Sequence, residues 1–174
     1  MTATENYLKG MHILAVDDEA DILESIEDVL DESRVDRASS YAEASKKIKQ
    51  TEYDLAILDI MGVDGLRLLE EAVERGMPSV MLTAHGLSQE TLEISVSKGA
   101  LSYIPKDAMA HMDDFLNEMF AQINKGDSPW KLVFKRLGGF FVKAFGPKWD
   151  GEGQEFWDEM ERRHRKSKGY VSKS

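Results

Sequence analysis

Asp17 and Asp18 follow the apolar run 11–16 (MHILAV), and Asp59 closes the run 54–59 (DLAILD). Thr83 closes 79–83 (SVMLT), and Lys106 stands just past 101–104 (LSYI). If the chain gathers these side chains, three carboxylates repel one another and raise their pKa values until a cation joins them. A hard divalent ion answers that need, and Mg2+ takes one or two carboxylates beside waters and a phosphate. Lys106 adds a fixed point charge for a phosphoryl oxygen. Thr83 adds a hydroxyl donor, and Asp59 an oxygen nucleophile that can form an aspartyl-phosphate. Taken singly, most of these residues have ordinary uses. An acidic pair serves as a solvated turn or helix cap, a threonine suits a strand, and a lysine suits the surface. Asp59 is the exception, because a carboxylate ending an apolar strand needs a partner. The set reads as a phosphoryl acceptor.

Such a pocket needs elements whose ends converge. With 35–38 (VDRA) added, the sequence offers five strand candidates, and helix candidates lie near 20–32, 41–50, 65–75, 88–98 and 110–124. The runs ILAV and LAIL are unbroken, as in parallel strands covered on both faces. Ile22, Ile26, Val29 and Leu30 recur at helical spacing, as do Met112, Phe115, Leu116, Met119 and Ile123. Gly76, Gly99 and Gly126 sit where helix ends call for glycine. Alternation of this kind predicts an α/β, doubly wound, five-stranded parallel sheet. Functional groups in such sheets gather beyond the carboxyl ends of the strands, where the five residues lie.

Charge divides the chain. Residues 1–126 hold 11 Lys+Arg against 25 Asp+Glu, a net of −14, while residues 127–174 hold 11 against 7, a net of +4. Two units are therefore expected, a folded domain over 1–126 and an extension over 127–174. The acidic body disfavours DNA as a partner. The absence of cysteine removes disulfides and thiolate metal sites. No run approaches the roughly 20 apolar residues of a membrane span, and no signal-peptide core is present. A cytoplasmic protein is expected.

In these motifs the sequence resembles a response regulator receiver domain, a flavodoxin-like fold, over about residues 9–124. The resemblance is carried by AVDDEAD, LAILDIMG, VMLTAH and KGALSYIPKD. It implies that Asp59 accepts a phosphoryl group from a sensor histidine kinase or phosphotransfer protein, and that Mg2+ is the cofactor. Asp18 and Asp59 would ligate the ion with the Met61 carbonyl, Asp17 mainly through water. Lys106 would contact the phosphoryl group, Thr83 would swing toward it, and Tyr103 would turn inward in response. His85 would either tune dephosphorylation or line the rim. The protein would then be a phosphoacceptor with Mg-dependent self-phosphorylation and autodephosphorylation, not an enzyme acting on a separate substrate. A metal-dependent phosphatase is disfavoured, because the position two after Asp59 is Met61 and offers no general acid. Two departures stand out: the order Pro105-Lys106-Asp107 replaces the family's lysine–proline, and DIMGVDG is about two residues shorter than the usual turn and lacks its proline.

The extension opens with Asp127-Ser128-Pro129, a helix start with Ser128 as cap. Trp130, Val133, Phe134, Leu137, Phe140, Phe141, Ala144 and Phe145 fall on one side of the helical wheel. Lys131, Lys135, Arg136 and Lys143 fall opposite, with Leu132 and Val142 as apolar exceptions. Gly138-Gly139 could kink or split the helix. A second helix is expected near 152–166, before the basic run RRHRKSK. Three uses are open for 129–160: packing on the folded domain, self-association or docking to a partner protein, and lying on a membrane surface. The leading expectation is a switch in which Asp59 phosphorylation alters an interaction made by these helices. The alternatives are a stand-alone phosphorelay intermediate and a phosphorylation-independent scaffold with a structural tail.

Overall fold

The computed structural model describes residues 5–84 and 88–145, together with Arg162. Its strands are β1 (His12–Val16), β2 (Arg34–Ala38), β3 (Leu55–Asp59), β4 (Ser79–Thr83) and β5 (Ser102–Pro105). Its helices are α1 (Ala20–Val29), α2 (Tyr41–Gln50), α3 (Gly65–Glu74), α4 (Gln89–Ser97), α5 (Met112–Asn124) and α6 (Pro129–Phe145), with a 3-10 helix over Lys106–His111. All strand pairs are parallel, in the order β2-β1-β3-β4-β5. This is the doubly wound sheet expected from the alternation of strand and helix patterns.

Burial explains the order. All five residues of β3 and of β4 are buried, so these central strands are covered on both faces. Strand β2 lies at an edge and carries Arg34, Asp36 and Arg37, which deter pairing with another chain. The helices add one apolar stripe each, such as Leu68, Leu69 and Ala72 on α3 and Phe115, Leu116, Met119 and Ile123 on α5. Ser40 and Ser88 cap α2 and α4 by accepting the backbone N–H of Glu43 and Thr91. Gly76, Gly99 and Gly126 follow α3, α4 and α5 with positive φ, as the helix ends require. No cis peptide bond occurs among the described residues. Helix α5 starts two residues later than its periodicity suggests, because 106–111 wind as the tighter 3-10 helix.

Helix α6 departs from the sequence reading in two ways. It runs unbroken through Gly138 and Gly139, and a Cβ at either would meet nothing within 4 Å. Leu132, an exception on the wheel, is buried with Trp130 and Val133, because the first turns of α6 pack on α5 and on the outer strand β5. Ser128 does cap the helix, its Oγ accepting the Trp130 N–H at 3.2 Å. Further along, Arg136 pairs with Glu118 at 2.7 Å and lies 5.8 Å from the ring centre of Phe115. The second helix expected near 152–166 lies outside the described residues, as do the side chains of Phe134, Phe140, Phe141, Ala144 and Phe145. Among the described residues, no helix is long and apolar enough to cross a membrane.

Candidate functional site

Strand register brings the candidate residues to one edge of the sheet. Val16 pairs with Leu58, Asp59 with Leu82, and Thr83 with Pro105. The residues that end or follow β1, β3, β4 and β5 are therefore neighbours across the carboxyl edge: Asp17, Asp59, Thr83 and Lys106. The Asp17 N–H continues the ladder by donating to Ala38 O at 3.1 Å, and the Ile60 N–H donates to Leu82 O at 3.2 Å. Ladder bonds thus hold the chain on both sides of the site before any side chain contributes.

Lys106 joins the carboxylates. Its Nζ lies 3.0 Å from Asp17 Oδ2 and 3.4 Å from Asp59 Oδ1. Asp17 is fully buried and Asp59 is only 3% exposed. Burial pushes the Asp59 carboxyl up to about 6; the charge of Asp17 pushes the same way, Lys106 opposes it, and Asp18 adds a smaller upward push. Burial favours a neutral Lys106, but Asp17 and Asp59 outweigh it and hold the ammonium above its usual range. Near neutral pH the centre is an ionised, poorly solvated carboxylate beside a fixed ammonium.

The donor set fits a divalent cation. Oxygens of Asp17, Asp18 and Glu19 all lie within 4.8 Å of one another. Asp17 Oδ1 accepts the Glu19 N–H at 2.9 Å, which orients the carboxylate. Its Oδ2 is buried, and its contact with Lys106 falls outside hydrogen-bond geometry, which leaves acceptor capacity unused. Lys106 reaches Asp17 and Asp59, while Asp18 and Glu19 add two exposed carboxylates beside Asp17, and a hard cation with oxygen ligands would balance the excess. Met61 follows in the turn after β3 and is 62% exposed.

Thr83 is buried, and its hydroxyl donates to Ala84 O at 3.1 Å. Tyr103 is 1% exposed and fully inward, where a half-exposed strand tyrosine was the plain alternative. Burial pushes its hydroxyl up to about 12, and the nearby Thr83 hydroxyl pushes the other way. The two residues are therefore in contact. His85 lies outside the described residues.

Two contributions were not evident from residue types. Glu19 joins the acidic group and orients Asp17 through its N–H. Gly65 lets α3 start against the acceptor strand, since a Cβ there would lie 2.0 Å from the Asp59 carbonyl oxygen. The paired glycines of DIMGVDG are the only trace of this crowding in the sequence, because close backbone approach favours glycine.

Comparison with known proteins agrees with the geometry. A family model described as the response regulator receiver domain matches residues 13–117. Two-component response regulator ORR24 of Oryza sativa subsp. indica is 33% identical over 104 residues, 56% of this chain and 16% of that protein. The chain thus spans about a sixth of that relative's length. Among solved structures, a CheY-like receiver domain protein from Methanospirillum hungatei is 30% identical, with a TM-score of 0.53, covering 63% of this chain and 96% of its own. NtrX from Brucella abortus is 27% identical, with a TM-score of 0.57, covering 73% of this chain and 28% of its own.

Proposed function

From the premise that the chain belongs to the response regulator receiver family of two-component signalling, we propose that Asp59 accepts a phosphoryl group from a phosphohistidine and that α6 responds. The observation that carries this reading is Lys106 Nζ standing between the buried carboxylates of Asp17 and Asp59, at 3.0 and 3.4 Å. In the transfer, an Asp59 carboxylate oxygen attacks phosphorus and the P–N bond to the imidazole breaks. The electron pair stays on the departing nitrogen, which binds a proton. Mg2+, held by Asp17, Asp18 and Asp59 with the Met61 carbonyl, would neutralise charge on the phosphoryl oxygens. Lys106 opposes the upward push of burial on Asp59, favouring its ionised, nucleophilic form, and then faces a phosphoryl oxygen.

Phosphorylation adds about −1.5 to −2 charges at a buried position. The new oxygens compete with Ala84 O for the Thr83 hydroxyl. Tyr103, beside Thr83, feels that exchange, and it belongs to the strand against which α6 packs. The route from chemistry to output would run through Asp59, Thr83, Tyr103, β5 and α6, the Thr83 hydroxyl exchanging Ala84 O for a phosphoryl oxygen. The partner implied is a sensor histidine kinase or phosphotransfer protein.

The test is intact-mass spectrometry after incubation with acetyl phosphate and Mg2+. The wild-type chain is expected to gain one phosphoryl group, lost on hydroxylamine treatment as for an acyl phosphate. Asp59→Asn and addition of EDTA should each abolish the gain. Persistence of the adduct in Asp59→Asn would assign the chemistry to another residue.

A further inference from the structure

The turn joining β3 to α3 is short, and it closes on the acidic pair after β1. Gly62 has φ +83°, and a Cβ there would lie 2.4 Å from Asp18 Oδ2, 2.7 Å from Asp18 Cγ and 2.9 Å from Asp18 Oδ1. All three contacts are with one carboxylate. Gly10, Gly76 and Gly126 share the positive φ, but a Cβ on any of them would meet nothing within 4 Å. The Gly62 backbone is therefore unusual in being a wall against Asp18, with no room for even a methyl group between them. Asp18 is itself solvent-exposed, and among the described residues no hydrogen bond or ion pair anchors its side chain, so its carboxylate would yield to a methyl group by swinging away from Asp17 and Glu19.

We propose that Gly62 is a positioning residue for the divalent cation: its bare backbone fixes where the Asp18 carboxylate stands relative to Asp17. The proposal rests on the reading of this pocket as a cation-dependent phosphoacceptor. The shortened turn brings Gly62 to Asp18, so the turn length and the missing side chain act together. Residues that orient a ligand without touching the metal change affinity by about 10–100-fold when altered.

The experiment is calorimetric titration of the full chain with Mg2+, with Mn2+ binding followed by electron paramagnetic resonance as a second readout. Gly62→Ala is expected to weaken both by about tenfold or more. Gly76→Ala carries similar backbone strain in open space and should bind as wild type, which separates strain from displacement of Asp18. Equal Mg2+ affinity in Gly62→Ala and wild type would overturn the role of Gly62 while leaving the pocket's reading intact. A wild-type chain that fails to bind Mg2+ would overturn that reading and the proposal with it. Should Gly62→Ala alone not fold, the double variant Gly62→Ala/Asp18→Ala must fold, since it removes the atoms the methyl group strikes. If that variant also fails, the contact with Asp18 is not what matters.

Discussion

Asp59 is asked to be both buried and charged, and those demands conflict. A carboxyl pushed up to about 6 from an ordinary 3.8, chiefly by burial, prefers its proton in the folded state. Its contribution to stability is thus fully present below about pH 4 and is lost as pH rises through about 6. At neutral pH the ionised side chain costs the cation-free protein on the order of 1–3 kcal/mol, net of the attraction of Lys106. Asp59→Asn removes that charge at nearly constant volume, and Lys106 keeps Asp17 as its partner. The variant should therefore be more stable than wild type in EDTA at pH 7, and the difference should shrink toward zero near pH 4. Urea denaturation across that range measures it. A difference that stays constant with pH would mean that the Asp59 charge carries no such strain. If the difference does shrink toward pH 4, reactivity and instability share one cause, since the carboxylate that folding penalises is the one a cation and a phosphoryl group relieve.

Glycine shows at the level of elements how one substitution changes sign with its surroundings. At Gly65 a Cβ would lie 2.0 Å from the Asp59 carbonyl oxygen and 2.8 Å from its carbon. These are backbone atoms at the end of the acceptor strand and cannot turn aside. Gly65→Ala should cost roughly 1–3 kcal/mol by forcing α3 off β3, and it should also slow phosphoryl acceptance by moving Asp59; paired denaturation and phosphorylation assays check both effects. At Gly138 and Gly139 a Cβ meets nothing, so alanine there should stabilise α6 by about 0.5–1 kcal/mol per site. Higher helical ellipticity and slower amide exchange in α6 would report the gain, and no change would mean that the segment around the two glycines is not helical in solution. The elements themselves were legible because ILAV and LAIL are unbroken apolar runs and the amphipathic periods are regular. The site was legible because its residue types cluster at strand ends. The contact of Gly62 with Asp18 was not, since it depends on two turns far apart in sequence meeting in space. The buried side of α6 was not either: a helical wheel gives Leu132 a direction, but the surface it meets decides whether that direction is inside.

Opposite charge on the body and the extension suggests that the two are held together electrostatically, and magnitudes decide against it. The described ion pair between them, Arg136 with Glu118, is open to solvent, its side chains 34% and 42% exposed, and such surface pairs contribute about 0–1 kcal/mol. Trp130, Leu132 and Val133 are buried at 3%, 2% and 0% exposure, and burying such side chains contributes roughly 1.5–3 kcal/mol each. Apolar packing therefore holds the first turns of α6 in place, and the charge difference between −14 and +4 acts only on what lies beyond them. It follows that docking of α6 should survive salt. With Trp149 and Trp157 replaced by phenylalanine, Trp130 becomes the sole tryptophan. Its emission should keep the blue-shifted maximum of a buried indole up to about 1 M NaCl, where charges are screened beyond about 3 Å. A red shift with salt would make charge the main attachment. The distinction matters for signalling, because a helix held by apolar contacts on β5 answers to a change in that strand, whereas one held by charge would answer to the added phosphoryl charge from a distance. Salt-insensitive docking together with a phosphorylation-dependent change in Trp130 emission would locate the coupling in the packing between Tyr103's strand and α6.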